Sequence, residues 1–300
     1  MFKNGDIICF LGDSITANGL YMAEVYQTLR KKYGVKCYNC GVSGGTAKYA
    51  LLYMHSFCLI HNPDYVVIMF GINDIGRDYY VENCFNDKDN QKERENALQA
   101  HKDAYEKLIQ QAMESGAKVI LCLAVPYDDV SVRESNSSLC QIGMDESCEF
   151  LKSLAKKYDC PMVDFKSIMQ PMLGKREIIC EDRIHPTPEG YHVMAQIFLK
   201  DIGVQEGYDF DTPFTWEQWN KERYDAEQEL HLVRFMEYNV LLKERYVENK
   251  SYEECKNIAQ QRYESYEDKS NVFPMAYDEY IKKIDSYNRY MGEIVKKTIF

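Results

Sequence analysis

No apolar run in this 300-residue chain approaches the roughly 18 consecutive apolar residues that a membrane-spanning helix needs. The first run, residues 7–11, is also too brief for a signal peptide, so a cytoplasmic protein without membrane attachment is expected. Positive charge is in short supply as well. Lys and Arg number 36 against 47 Asp and Glu, a formal net charge of −11, which excludes an extended phosphate-binding face and makes nucleic acid an unexpected partner. The eleven cysteines are odd in number and irregularly spaced, and Cys9 and Cys122 sit inside apolar runs, so reduced thiols are expected rather than a disulfide framework. Cys37-x-x-Cys40 has no second pair at zinc-ribbon spacing, and His-Glu-x-x-His is absent, so no metal site is expected. Repeats and low-complexity stretches are absent too.

What is present alternates. Apolar runs at 7–11, 35–38, 65–70, 118–124 and 162–163 end in turn or small residues, with amphipathic stretches between them. That order predicts an α/β fold, a three-layer α/β/α sandwich of the flavodoxin-like kind with a five-stranded parallel sheet. Helices are predicted at 20–33, 47–60, 92–115, 141–158 and 188–199, the last capped by Thr187 and opened by Pro188. After about residue 205 the texture becomes polar and rich in Glu, Lys and Tyr. The chain therefore divides into a domain at 1–205 and a helical extension at 206–300. Thr215 with Gln218 and Ser251 with Glu254 match the capping-box pattern, Trp216, Trp219, Leu230, Val233, Val240 and Leu241 approximate one face, and a last helix is expected near 275–297. These helices are expected to pack on the core or to form a homo-oligomer with a second copy of the chain. A lid over the substrate pocket is the competing reading.

In an open parallel sheet the loops at the carboxyl ends of the strands carry the chemistry. Gly12-Asp13-Ser14 follows the first strand, Gly41 to Gly45 the second and Gly71-Ile72-Asn73-Asp74 the third, while Asp182-Arg183-Ile184-His185 precedes the last helix. A serine hydroxyl is a weak nucleophile at neutral pH until an imidazole, itself oriented by a carboxylate, takes its proton. Ser14, His185 and Asp182 supply that set as candidate catalytic residues. A tetrahedral intermediate also needs donors at its oxyanion, and the backbone N–H of Ser14, the backbone N–H of Gly44 and the amide of Asn73 suit the task.

The four blocks, in this order and across roughly residues 6 to 200, resemble the SGNH, or GDSL, hydrolase family. The resemblance implies a serine esterase that works through an acyl-Ser14 intermediate, with no metal or organic cofactor, and it says nothing of the last hundred residues. The substrate is expected to be a small soluble ester, with an O-acetylated carbohydrate favoured over a short-chain lipid, a lysophospholipid or a thioester. Two rivals compete. Gly41-Val42-Ser43-Gly44-Gly45 also satisfies Gly-x-Ser-x-Gly, which would make Ser43 the nucleophile of an elbow. A non-catalytic, flavodoxin-like binding module would use the same strand ends, yet no Walker or Gly-x-Gly-x-x-Gly pattern is found. Asp13, Arg77, Tyr79 and Tyr127 are the candidates for substrate recognition, with Tyr80, Asp128 and Asp129 bordering the same loops. His55, His61, His101, His192 and His231 have no partner visible in the sequence and are read as ordinary surface or core histidines.

Overall fold

In the computed structural model, which describes residues 2–130, 139–239, 244 and 248–265, the elements follow one another as strand and helix in alternation. They are β1 (Ile7–Gly12), α1 (Ser14–Asn18), α2 (Leu20–Tyr33), β2 (Lys36–Gly41), α3 (Ala47–Phe57), β3 (Tyr65–Met69), α4 (Lys88–Glu114), β4 (Lys118–Leu123), α5 (Cys140–Tyr158), β5 (Met162–Asp164), α6 (Phe165–Met169), α7 (Pro188–Asp201), α8 (Gln218–Asn239) and α9 (Tyr252–Ser265). The sheet is parallel with strand order β2-β1-β3-β4-β5, so the fold is the expected three-layer α/β/α sandwich.

Burial on both faces explains why the strands read as continuous apolar runs rather than as alternating ones. In β1, Ile8 and Phe10 join Tyr21, Met22, Val25 and the α7 residues Val193, Met194 and Ile197 on one side. Cys9 and Leu11 point the other way, into Ala50, Tyr53, Met54, Tyr105 and Leu108 of α3 and α4. Two helix ends differ from the sequence expectation by more than two residues, for local reasons. The third helix stops at Phe57, where a short 3₁₀ turn at Leu59–His61 takes over and Asn62 adopts a left-handed conformation. The fourth starts at Lys88, because the Asp87 carboxylate accepts the N–H groups of Asp89 and Asn90 and caps it one turn earlier.

The strand order changes direction beside β1, the position in such sheets where loops part and leave a crevice. Register completes the arrangement. Gly12 pairs with Gly41 on one side and with Met69 on the other, so the loops that follow β1, β2 and β3 leave from a single row. A β-carbon at Gly12 would lie 2.3 Å from Thr16 Oγ1 and 2.8 Å from the Met69 carbonyl, so only glycine permits the close approach that turns the chain into α1.

The described residues after 205 pack on this domain through Trp216, Tyr224 and Gln228. Trp216 and Tyr224 stack about Tyr26 with ring centroids 6.3 and 5.1 Å away, and α8 lies along β2. Because β2 is an edge strand, its outer backbone groups need partners. Gln228 supplies them, accepting the Asn39 N–H at 3.1 Å and donating to the Cys37 carbonyl at 2.6 Å. Gln228→Ala is therefore expected to strip two hydrogen bonds from the edge and lower unfolding stability by about 1–3 kcal/mol, measured by urea denaturation. A loss below a few tenths would mean that water replaces the side chain without cost.

Two expectations for this segment fail. The Thr215–Gln218 capping box does not form, since the Thr215 carbonyl is drawn to Gln27 Nε2 and the helix opens after Glu217, whose carbonyl takes the first N–H groups. Trp219 is 48% exposed rather than facing the core, because Trp216 alone reaches the aromatic cluster. The second box is made: Glu254 accepts the Ser251 N–H at 2.8 Å. The side chains of Leu230 and Val233, residues 240 and 241, and the helix expected near 275–297 lie outside what is described.

Candidate active site

Ser14 is the first residue of α1 and stands at the carboxyl end of the sheet's second strand. Its Oγ lies 2.7 Å from His185 Nε2, and His185 Nδ1 lies 2.5 Å from Asp182 Oδ2. Residues 171 positions apart are thus brought into one hydrogen-bonded row. The loop that carries Asp182 and His185 is closed on itself: Ile179 bridges Pro186, the Cys180 N–H donates to the His185 carbonyl, and Arg183 takes a left-handed conformation with φ +69°. Asp182 holds the loop from within, its Oδ1 accepting the N–H groups of Ile184 and His185, each at 2.9 Å. The partial burial of Asp182 pushes its carboxyl up, but the donors on His185 and Ile184 outweigh that and leave it below the ordinary range. It therefore stays ionised, the form that orients an imidazole.

Gly44 has φ +72°, a backbone that favours glycine, and the residue is exposed. Asn73 uses its Nδ2 to donate to the Gly45 carbonyl at 3.1 Å, which ties the two loops and leaves the second amide hydrogen for another acceptor. Ser43, the rival nucleophile, is exposed on the same loop and has no histidine hydrogen-bonded to it among the described residues.

The recognition candidates divide. Asp13 is only 2% exposed and spends its carboxylate on the Ile15 N–H at 3.0 Å, so it caps α1 beneath the site and does not reach a ligand. Tyr127 is buried in the core beside β4 and is likewise removed from the surface. Arg77 is exposed and Tyr79 half-buried on the 3₁₀ turn that follows the Asn73 loop. Tyr80 is buried, and Asp128 anchors its own loop to the Asp182–His185 loop through its N–H to the Arg183 carbonyl. Among the other histidines, His192 bridges Glu24 and the Asp209 carbonyl, His61 stacks on Tyr38, and burial lowers the pKa of His55. His192 thus has a partner that the sequence does not show, and so has His101. The His101 ring lies between Asp74 and Ser147. Only an Asp one residue beyond Asn73 hinted at this, and the spacing to α4 and α5 hid it.

One group of residues has the composition of a metal site. The sulfurs of Cys9, Cys40 and Cys58 lie within 4.8 Å of one another in the core. Cys9 and Cys40 each direct a sulfur at a backbone carbonyl, of Cys58 and Phe57, which suits neutral thiols, and burial raises both pKa values well above the ordinary thiol range.

Asp13 carries a pH signature. Burial pushes its carboxyl up to about 7, with the nearby Asp74 charge adding to this and the Ile15 N–H and His185 opposing it. The folded chain thus holds a proton there that the unfolded chain has lost above about pH 4, so the Asp13 contribution to stability falls as pH rises from about 4 to about 7, by about 1.4 kcal/mol for each unit of separation. Asp13→Asn keeps the acceptor for Ile15 and is expected to flatten that part of the curve in urea melts between pH 4.5 and 8. An unchanged slope would show that other groups set it.

A model of the GDSL-like lipase/acylhydrolase family matches residues 10–193. An acetylxylan esterase of Geobacillus stearothermophilus is 23% identical over 222 residues, 67% of this chain and 96% of that protein. The solved structure of an acetylxylan esterase from that organism matches with a TM-score of 0.57 at 23% identity, covering 69% of this chain and 99% of that one. A gut microbial diltiazem-metabolizing enzyme matches with a TM-score of 0.59 at 22% identity over 68% of this chain, which spans 48% of that enzyme's length.

Proposed function

The chain belongs to the GDSL-like lipase/acylhydrolase family and is a carboxylic ester hydrolase, and from that premise we propose that it removes acetyl groups from a carbohydrate through an acetyl-Ser14 intermediate. The observation that carries the chemistry is the row from Ser14 through His185 to Asp182, with separations of 2.7 and 2.5 Å. Ser14 Oγ attacks the ester carbonyl as its proton passes to His185 Nε2. Negative charge gathers on the carbonyl oxygen, where the N–H groups of Ser14 and Gly44 and the free amide hydrogen of Asn73 receive it. His185 returns the proton to the leaving alcohol oxygen. A water molecule then attacks the acetyl group with His185 again taking the proton, acetate leaves, and Ser14 recovers its hydrogen.

Two observations support a carbohydrate as the alcohol. The relative that is 23% identical is an acetylxylan esterase. In addition, a cleft of about 530 Å³ lies next to α1, lined by Asn18, Asn39, Ser43, Trp216, Tyr224 and Asp225; it neighbours the Ser14 row without including it. Aromatic rings beside amide and carboxylate groups suit the apolar faces and hydroxyls of a sugar. With p-nitrophenyl esters from acetate to decanoate, turnover is expected to be highest at acetate and to fall steadily with chain length. A maximum at eight carbons or more would exclude this substrate class and favour a lipid ester.

A further inference from the structure

Behind the Asn73 loop, between α4 and α5, lies a second grouping of serine, histidine and aspartate. Ser147 Oγ on α5 is 2.8 Å from His101 Nε2 on α4, and His101 Nδ1 is 3.1 Å from Asp74 Oδ1. All three are buried, so no substrate reaches this serine. The other end of the grouping touches the site described above. Asp74 Oδ1 accepts the N–H of Ala47 at 2.7 Å, where the Gly44 loop enters α3, and Asp74 is the neighbour of Asn73, whose amide donates to the Gly45 carbonyl. The two loops offered as oxyanion donors are therefore tied to each other twice, and one tie is a carboxylate that His101 stands against.

Proton placement is settled by what each atom faces. With the proton on Nδ1, His101 turns the positive end of an N–H dipole toward the carboxylate and an acceptor to the Ser147 hydroxyl; the other tautomer sets a lone pair against a carboxylate oxygen. Among the described residues neither Asp74 Oδ2 nor His101 Nδ1 has an aligned hydrogen-bond partner, so the 3.1 Å approach of Nδ1 to Asp74 Oδ1 is an electrostatic contact. A buried carboxylate with one hydrogen bond, from the Ala47 N–H, depends strongly on every other group that faces it with positive charge density. Remove the histidine and Asp74 has reason to turn, carrying Asn73 and the Ala47 end of the Gly44 loop with it.

We propose that His101 is a positioning residue for the oxyanion hole: it fixes Asp74, which fixes the spacing between the Gly44 N–H and the Asn73 amide, and Ser147 sets its tautomer. This rests on the acyl-Ser14 reading. Displacing a catalytic group by about 1 Å costs on the order of 100-fold in rate. His101→Leu is therefore expected to lower kcat about 10- to 100-fold on p-nitrophenyl acetate with KM within about threefold. His101→Asn, whose amide can replace the Nδ1–H, should recover to within about fivefold of the parent, and Ser147→Ala should fall between them.

The companion measurement is fluorophosphonate labelling, followed by intact mass and peptide mapping. Labelling of every variant at Ser14 to about one per chain, at rates that fall in parallel with kcat, supports the proposal. Activity lost only in proportion to the fraction of chains labelled would make His101 a packing residue and overturn it. So would a well-folded His101→Asn as slow as His101→Leu. Should His101→Leu fail to fold, the Ser147→Ala rate decides in the same way. Failure of the parent chain to label at Ser14 is a separate result: it overturns the acyl-Ser14 reading itself and the proposal with it.

Discussion

Ser14→Ala is expected to lower kcat roughly 10⁴- to 10⁶-fold, while the thermal midpoint stays within a few degrees of the parent. The size of the loss follows from the chemistry: without Oγ no acyl-enzyme forms, and what remains is water acting beside donors that still receive an oxyanion. The stability expectation follows from the site. Ser14 is half-buried at the start of α1, and its Oγ bonds to a His185 that is itself 39% exposed, so the lost contact is one that water replaces readily. Ser43→Ala serves as the internal control and should leave activity within about twofold, since no histidine among the described residues is hydrogen-bonded to that hydroxyl. The two substitutions separate the readings. A large loss confined to Ser43→Ala would move the nucleophile to the glycine loop and leave the row at Ser14 a structural accident. Fluorophosphonate labelling of both variants, mapped by mass spectrometry, reads the same question without relying on a chosen substrate.

Asp182→Asn is expected to be the second most damaging change, with kcat falling roughly 10³- to 10⁴-fold. Its side chain has two jobs. Oδ1 accepts the N–H groups of Ile184 and His185, which shapes the loop, and Oδ2 faces His185 Nδ1. An asparagine keeps the first by offering its carbonyl oxygen to the backbone, which obliges its NH₂ to face the ring. The imidazole then holds its proton on Nε2, pointing at Ser14, and the base is in the wrong tautomer to receive a proton. Asp182→Ala makes the instructive comparison. It loses both jobs but frees the ring to choose its tautomer, and because the Asp182 side chain is 48% exposed, water can stand in for the carboxylate. The asparagine variant should therefore be slower than the alanine variant under saturating substrate. The reverse order, with both folded, would mean that loop shape and not tautomer control is what Asp182 contributes.

Much of this architecture is legible along the chain because its signals are local. Buried parallel strands have no polar face, so 7–11 and 65–70 stand out as unbroken apolar runs. Thr187 and Pro188 mark the start of α7, and Ser251 with Glu254 marks the start of α9, through bonds that span three residues. The misses share the opposite property. Thr215 and Gln218 have the pattern of a capping box, yet Gln27, distant in sequence, captures the Thr215 backbone first. Trp216 and Trp219 read as one stripe, but the pocket around Tyr26 has room for one of them. Asp13 and Tyr127 look available for a substrate because they sit in the right loops, and only packing shows that both are covered.

The candidate site divides along the same line. By itself the order of residues determined the sheet, its five strands, the loops at their carboxyl ends and the residue types those loops carry, since secondary structure and turns are set by neighbours within a few positions. Tertiary structure alone decided distances and company. The registers of β1, β2 and β3 bring Gly12, Gly41 and Met69 into one row and so place Ser14, Gly44 and Asn73 on one edge. Helix packing sets His101 between Asp74 and Ser147, and the edge of β2 draws Gln228 from 189 residues away. Contacts of that kind depend on how whole elements fill space against one another, a condition that no short stretch of sequence contains.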